Sequence, residues 1–462
     1  MATVLKNTFG RRVDVDMTQG GITKNIISFA FPLMIGNLFQ QLYNMVDTWV
    51  IGKTGINGAF AAVGSVGPII NILIGFFLGL SSGASVIISQ YYGAKNYEKV
   101  KESVHTAFSL TLILGVFFTV AGLCMSPVML KLMLHGKDSS VYPYAFQYLM
   151  IYFAGVIGLM IYNITAGIMR AVGDSRRPFY FLLVSSVINI VLDFVFVFAF
   201  DMGVAGVAFA TIIAQFASAF LGVLSLLKTD SCIKLEVKEL KISPQMLKKI
   251  IKIGIPAGLQ MAITAFSNVF VQSYIANVNM DSTIALSGWT AYSKIDMFIF
   301  LPTQSIALAV TTFVGQNIGI NNEKRAKKGT YTAMGISACI TACVIGIVML
   351  FSPFLVKIFN DDTEVIKCGT LLLRYITPFY MFTCVNQILA AALRGAGNST
   401  APMVIMILSF VGFRQLYLYL VSNFVSNDLI PIAMSYPAGW SVCALTIFIY
   451  YNLYKVKKKI AD

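Results

Sequence analysis

The stretch Arg170-Ala-Val-Gly-Asp-Ser-Arg-Arg-Pro178 recurs 224 residues later as Arg394-Gly-Ala-Gly-Asn-Ser-Thr-Ala-Pro402. Three further pairs occur in the same order at offsets of 224 to 226 residues: Pro32 and Pro256, Gln90-Tyr-Tyr-Gly93 and Gln316-Asn-Ile-Gly319, and Ser126-Pro127 and Ser352-Pro353. Evenly spaced matches of this kind indicate that one ancestral unit was used twice. The sequence therefore predicts two homologous halves.

The composition places both halves in a lipid bilayer. Apolar residues make up 57% of the chain and charged residues only 12%, whereas soluble domains carry about 25% charged residues. A hydrocarbon core about 30 Å thick needs roughly 20 apolar residues per helix. Twelve such spans are predicted, near residues 26-48, 60-88, 104-126, 144-168, 178-200, 203-227, 249-276, 284-314, 330-352, 368-392, 401-424 and 430-453.

The basic residues predict the orientation of these spans. The amino-terminal tail, the carboxyl-terminal tail and the alternate loops hold 26 of the 34 Lys and Arg residues, whereas the opposite loops hold five. Cytoplasmic loops retain positive charge, so both termini are expected on the cytoplasmic side of the cell membrane. The net charge of +14 is thus a topology signature. It is not clustered on one folded domain, so nucleic acid is not expected as a partner.

The spans predict an all-α membrane protein with two lobes. Six spans per half is an even number, so both halves enter the membrane with the same polarity and are related by an axis along the membrane normal. We predict an amino-terminal lobe at 1-227, a polar linker at 228-248 and a carboxyl-terminal lobe at 249-462.

Two duplicated turns carry a resemblance to a known family. The Gln-x-x-Gly turn follows spans 2 and 8, and the Arg-x-x-Gly-(Asp/Asn)-Ser-x-x-Pro turn follows spans 4 and 10. Together with twelve spans in two parallel halves, they resemble the multidrug and toxic compound extrusion family over nearly the whole chain. The resemblance implies an exporter that expels organic compounds in exchange for Na⁺ or H⁺ by alternating access.

Three carboxylates lie within predicted spans, namely Asp47, Asp193 and Asp296. A charge at such a position costs about 2.5 to 3.5 kcal/mol on insertion scales, so it usually faces a cavity and serves an ion or a substrate. The positions equivalent to Asp47 and Asp193 in the second half are Val271 and Tyr417. Because packing demands should be similar in both halves, acids confined to one copy indicate a task that only this half performs.

A cluster of oxygen ligands is expected around the first two acids. Asp47 follows Gln40 and Asn44 at helical spacing, which places the three on one stripe. Gln40 and Asn44 are expected to line the substrate cavity. Asn189 and Asp193 likewise share a face, and the hydroxyl of Thr211 lies at a similar depth, so that two carboxylates, one amide and one hydroxyl form the cluster. Such a cluster suits Na⁺, and the paired carboxylates equally suit a shared proton.

The family resemblance implies the same assignment for the cation site. In that family an acid in span 1 and an Asn-x-x-x-Asp pair in span 5 form it, which here are Asp47, Asn189 and Asp193, with Thr211 beside them. Two lining residues of the cavity are expected nearby, Tyr148 and Asn163. The structural alternatives are that Asp47 ends a helix at the headgroup level and that Asn189 and Asp193 form a hydrogen-bonded pair.

Three charged residues in spans of the second half have more than one possible role. Asp296 and Arg414 are candidates for the substrate cavity, or Asp296 pairs with Arg414 or Arg374. The long side chain of Arg374 can extend to the membrane interface. Arg414 lies near the middle of span 11, where its side chain cannot easily do so. Inward-facing arginines suit anionic headgroups, which keeps a lipid-linked sugar flippase of the wider superfamily as the alternative function.

Pro32 and Pro256 lie inside spans 1 and 7, where each removes a backbone hydrogen bond. They are either static kinks or, as the resemblance implies for Pro32, hinges that couple cation binding to substrate release.

An enzyme is not expected, since only two histidines and no metal or nucleotide motif are present. We expect no cofactor apart from the coupling ion, Na⁺ or H⁺, and as partners only small organic molecules and the bilayer, with the chain acting as a monomer.

Overall fold

The computed structural model describes residues 15–53, 59–133 and 141–454, and within these ranges it contains helices and no β-strand. This part of the chain forms twelve helices long and apolar enough to cross a membrane, which confirms the predicted fold class. In chain order they are α1 (Ile22–Lys53), α2 (Ala59–Gly93), α3 (Tyr97–Met133), α4 (Tyr142–Ala171), α5 (Arg176–Ala199), α6 (Gly203–Lys228), α7 (Pro244–Ala276), α8 (Ser282–Gly319), α9 (Glu323–Lys357), α10 (Thr363–Gly395), α11 (Thr400–Phe424) and α12 (Leu429–Leu453).

Three of the twelve helices contain π or 3₁₀ turns. A π turn at Val195–Ala199 ends α5, and a second π turn at Leu408–Phe413 interrupts α11. A 3₁₀ turn at Thr377–Phe379 lies within α10. The first π turn begins two residues after Asp193 and the second ends immediately before Arg414. Single π turns often occur at functional sites, because the extra residue reorients neighbouring side chains.

The chain divides into two compact units. The first unit comprises Met1–Asp16 with Phe31–Ile255, and the second comprises Met17–Ala30 with Pro256–Asp462. The division therefore falls within α1 and α7, whereas the lobes predicted from the repeat are divided between whole helices. It lies next to Pro32 in α1 and at Pro256 in α7.

The duplicated turns share their backbone conformation. Lys95 and Asn321, which are equivalent in the repeat, have φ angles of 58° and 57°, and Gly173 and Gly397 have φ angles of 88° and 86°. A positive φ is uncommon for residues other than glycine, so matching values at equivalent positions are not expected by chance. The repeat seen in the sequence is thus also a repeat of local structure.

Close approaches of glycine hold the first unit together. A Cβ atom at Gly83 of α2 would lie 2.5 Å from the backbone nitrogen of Gly254 in α7. A Cβ at Gly222 of α6 would lie 2.3 Å from the hydroxyl oxygen of Thr165 in α4. Small residues at such crossings allow backbones to approach in membrane bundles. These contacts join α2 to α7 and α6 to α4 within the first unit.

The segment predicted as a linker, 228-248, is an ordered part of the first unit. Its backbone binds α3: the N–H of Glu236 donates to His105 Nε2 at 3.0 Å, and the N–H of Ser243 donates to Thr106 Oγ1 at 3.1 Å. The Lys101 ammonium lies 2.9 Å from Glu239 and holds the pKa of this carboxyl below its usual value. The polar composition of the segment therefore supplies specific contacts.

Residues before α1 bind within the second unit. Met17 is fully buried, and its backbone N–H donates to Gln316 Oε1 at 2.8 Å. The guanidinium of Arg325 donates to the carbonyl oxygens of Gln19 and Gly20 at 2.9 and 2.8 Å. Gln316, the glutamine of the second Gln-x-x-Gly turn, thus anchors the segment that precedes α1.

Candidate functional site

Two helices of the first unit place three polar side chains in its interior. Asp47 of α1 is 9% exposed, and Asn189 and Asp193 of α5 are both fully buried. Asn189 and Asp193 are one helical turn apart and therefore lie on the same face of α5. The protein itself thus shields the carboxyl group of Asp47 from solvent.

The carboxyl groups of Asp47 and Asp193 lie together. The side chain of Asp47 interacts with those of Asp193 and Asn189. Yet among the described residues no hydrogen-bond partner reaches Asp47 Oδ1, either oxygen of Asp193 or the side-chain amide of Asn189 in a satisfactory geometry. Two buried carboxyl groups in contact are stable only if a cation lies between them or one of the two is protonated. The arrangement is thus chemically incomplete without a positive charge.

Tyrosines surround this pair of acids. Tyr43, one turn before Asp47, and Tyr148 of α4 are both buried and lie within electrostatic range of the Asp47 carboxyl group. The rings of Tyr148 and Tyr152 stack at a centroid distance of 6.4 Å. Tyr148 was predicted as a site residue, whereas Tyr43 and Tyr152 were not. The helical spacings of 43 to 47 and 148 to 152 were the available signals.

Four other predicted residues are not joined to the acids by a hydrogen bond between described residues. The hydroxyl of Thr211 donates to the carbonyl oxygen of Val207 at 2.9 Å, and the amide of Asn163 donates to that of Leu159 at 2.9 Å. Gln40 is half-buried and interacts with Tyr43, one turn further along α1, while Asn44 is exposed. The roles given to them remain predictions.

The equivalent positions of the second unit contain no acid. Val271 of α7 is fully buried and apolar. Tyr417 of α11 is half-buried, and its hydroxyl donates to the carbonyl oxygen of Pro431 at 3.2 Å. The two copies of the repeat thus share a backbone but differ in chemistry at the positions that correspond to Asp47 and Asp193.

Three charged residues of the second unit, Asp296, Arg374 and Arg414, are not neutralised by one another. Arg414 of α11 is 2% exposed, Asp296 of α8 is half-buried, and Arg374 of α10 is exposed. None of the three takes part in a salt bridge between described residues. Arg374 Nε instead donates to Ser352 Oγ at 3.3 Å. Direct pairing of Asp296 with either arginine, one of the alternatives above, is therefore not seen in this structure.

One known protein family matches both halves of the chain. The MatE family model matches residues 32–195 and again residues 256–420. The chain belongs to the MatE family. Each match begins at one of the duplicated prolines, Pro32 or Pro256, and ends shortly after the position of Asp193 or its equivalent, Tyr417. The resemblance to the multidrug and toxic compound extrusion proteins is thereby confirmed.

Curated and solved relatives of this MatE protein agree over its whole length. It is 31% identical to the probable multidrug resistance protein YpnP of Bacillus subtilis over 97% of this chain and 99% of that protein. It is 28% identical to the probable multidrug resistance protein YoeA of the same organism, with 95% of each covered. A MATE crystal structure in complex with MaL6 covers 96% of this chain and 98% of its own at a TM-score of 0.90 and 24% identity. This last likeness concerns the fold.

Membership of the MatE family decides the broad class. MatE proteins are transporters, so this chain is a transporter and not an enzyme. Its twelve apolar helices make it a multi-pass membrane protein. Among the described residues no group of three or more His, Cys, Asp and Glu side chains is placed to hold a metal ion.

Proposed function

We propose that this protein exports organic compounds, cationic or lipophilic in character, and that a cation entering the cell drives the export by alternating access. Relatives that are named as multidrug resistance proteins support a compound exporter. The observation that carries the coupling is the buried pair Asp47 and Asp193: Asp47 Oδ1 and both carboxyl oxygens of Asp193 have no hydrogen-bond donor among the described residues. A chain without a nucleotide-binding motif also takes its energy from an ion gradient or from a partner chain.

A proton suits this pair best. When one carboxyl group is protonated, it can donate to the other, and the buried like-charge repulsion disappears. Sodium would need several further oxygen ligands; the side chain of Asn189 interacts with Asp47, and the phenols of Tyr43 and Tyr148 lie within electrostatic range of its carboxyl group. The hydroxyl of Thr211, predicted as a Na⁺ ligand, donates to its own helix, although its lone pairs can still accept a cation. We therefore rank H⁺ before Na⁺ as the coupling ion.

Pro32 and Pro256 have a proposed part in the cycle. Each lies within a long helix, where its ring removes one backbone hydrogen bond and weakens the helix locally. Both are placed where α1 and α7 pass from one compact unit into the other. We propose that bending at these positions accompanies the change between the two access states.

A lipid-linked sugar flippase is not favoured. The flippase hypothesis depended on inward-facing arginines, but Arg374 is exposed. The relatives are also named for multidrug resistance. Arg414 remains buried and requires a separate explanation.

Transport in proteoliposomes tests the proposal. Purified protein would be reconstituted with a fluorescent organic cation, and a pH gradient and a Na⁺ gradient would be imposed separately. We expect the pH gradient to drive transport, and we expect Asp193→Asn to abolish this dependence, because an amide cannot exchange a proton. Asp230→Asn is the matched control, since Asp230 is exposed and outside the spans; it should retain the rate of the unmodified protein.

Two results would contradict the proposal. Transport that persists in Asp193→Asn with the same gradient dependence would remove this residue from the coupling site. Transport driven by the Na⁺ gradient alone would leave the export function intact but replace the proton with Na⁺ at the same oxygens.

A further inference from the structure

Five aromatic side chains form a cluster inside the second unit, which we call the aromatic box. Its members come from α8, α10 and α12 and are Trp289, Tyr292, Tyr380, Tyr436 and Trp440. Neighbouring rings have centroid distances of 5.0 to 5.8 Å, and the hydroxyls of Tyr292 and Tyr380 are 3.3 Å apart. The box contains two of the three tryptophans of the chain. Aromatic faces of this kind bind flat or cationic groups.

A buried guanidinium lies on one side of the box. Arg414 is 2% exposed, and its Cζ lies 4.7 Å from the centroid of the Tyr436 ring. Its Nη2 donates to Ser267 Oγ at 2.6 Å and to Asn268 Oδ1 at 2.9 Å, both of them neutral, and no partner among the described residues reaches its Nε. A buried cation without an anionic partner is costly. Arg414 is therefore positioned to bind an anion that the described residues do not supply.

A carboxylate without an ion-pair partner lies near the same ring. Asp296 follows Tyr292 by one helical turn, and it interacts electrostatically with the phenols of Tyr292 and Tyr436. It is half-buried, and none of the salt bridges between described residues includes it. Tyr436 is thus next to one positive and one negative group, and neither is neutralised by direct contact with the other.

We propose that the aromatic box binds an aromatic zwitterion, with the ligand's carboxylate at Arg414 and its ammonium group at Asp296. The two protein charges sum to zero, so a ligand that carries both charges neutralises both. A ligand with a single charge leaves one buried protein charge unpaired and meets repulsion from the other. The ring of the ligand then stacks against Trp289 or Trp440. That such a ligand is exported rests on the proposed function, whereas its binding does not.

Tryptophan fluorescence tests the binding directly. Trp49 would be replaced by Phe, which leaves Trp289 and Trp440 as the only tryptophans. The purified full-length protein would be titrated with para-aminomethylbenzoate, with benzoate and with benzylammonium. We expect saturable quenching by the zwitterion at a Kd about tenfold or more below that of either singly charged probe, in line with the strength of charge-assisted hydrogen bonds.

Substitutions of Arg414 and Asp296 test which protein group binds which charge of the ligand. Arg414→Gln should weaken zwitterion binding about tenfold and leave benzylammonium binding unchanged or stronger. Asp296→Asn should also weaken zwitterion binding about tenfold, but it should leave benzoate binding unchanged or stronger. Arg374→Gln is the matched control, because Arg374 is exposed and not part of the box; it should bind like the parent. If Arg414→Gln does not fold, Asp296→Asn still gives an independent answer.

The outcomes separate this proposal from the proposed function. Equal affinities for all three probes, or unchanged zwitterion binding in both box variants, would overturn the zwitterion site. Asp193→Asn should keep normal binding in this titration even though it loses coupled transport. Failure of coupling alone would therefore leave the box assignment intact.

Discussion

At the scale of single residues, the first unit buries two carboxyl groups, Asp47 and Asp193, that the second copy of the repeat lacks. Each charged carboxylate within a span costs about 2.5 to 3.5 kcal/mol on insertion scales. The second copy of the repeat avoids this cost, because a fully buried Val271 occupies the position of Asp47 in the same kind of helix. This difference between the two copies supports the coupling role proposed for Asp47.

Exchange of these two residues gives a first prediction. Asp47→Val removes a buried polar group and should leave folded yield and thermal stability unchanged or slightly increased, while coupled transport is lost. Val271→Asp introduces a charge into an apolar environment without a partner and should destabilise the protein by about 2.5 to 3.5 kcal/mol. Size-exclusion profiles and thermal unfolding in detergent would measure both. Equal destabilisation by the two substitutions would mean that Asp47 has a structural role.

The sequence predicted the acids more easily than their surroundings. Asp47, Asn189 and Asp193 are conspicuous because carboxylates and amides are rare in apolar runs, and the structure brings them together. Tyr43 and Tyr152 gave no comparable signal, because 21 tyrosines are scattered along the chain. Spacing placed Gln40 and Asn44 on the stripe of Asp47, yet Asn44 is exposed. Periodicity defines a face, but only tertiary packing decides which part of that face is buried.

At the scale of helices, length and apolarity were predictable but local irregularities were not. All twelve spans are helices, because a run of about 20 apolar residues in lipid must satisfy its backbone internally. No residue type marks the π turns at Val195–Ala199 and Leu408–Phe413, since no proline lies within either. They follow from packing. Their positions beside Asp193 and Arg414 indicate that both copies use the same device to orient a buried charged group.

The crossing of α2 and α7 supports a second prediction. Gly83→Ala would place a Cβ 2.5 Å from the backbone nitrogen of Gly254, and backbone cannot move aside as a side chain can. We expect a loss of about 1 to 3 kcal/mol of stability, which is usual for overpacking. Gly346→Ala is the control, because nothing lies within 4 Å of the place that its Cβ would occupy; it should be neutral or stabilising. Thermal unfolding that is the same for both variants would show that the two helices separate easily.

The helical prolines support a third prediction. Pro32→Ala restores a backbone hydrogen bond and stiffens α1 where it passes between the compact units. Export should fall several-fold, while folded yield stays within about twofold of the parent, since alanine is a better helix former by about 3 kcal/mol. Pro127→Ala in α3 is the matched control, because Pro127 is also inside a helix but within one unit. Equal export by the two variants would make Pro32 a static kink.

At the scale of the whole molecule, duplication explains the fold, and the proposed function depends on the differences between the two copies. The two copies match in helix number and in the φ angles of their turns. They differ in their charged interiors: the first unit buries Asp47 with Asp193, and the second buries Arg414 beside an aromatic box. One fold can thus provide two different sites, because a site is set by a few side chains while the bundle is set by the apolar majority.

Orientation in the membrane is the last prediction, and it follows from charge alone. The tails and alternate loops carry 26 of the 34 basic residues, and positive segments stay in the cytoplasm during insertion. A fluorescent-protein fusion at the carboxyl terminus should therefore be bright and an alkaline phosphatase fusion there inactive. The same phosphatase inserted after Asn360, between α9 and α10 on the opposite side, should be active. Phosphatase activity at the carboxyl terminus would reverse the topology, and the direction assigned to export with it.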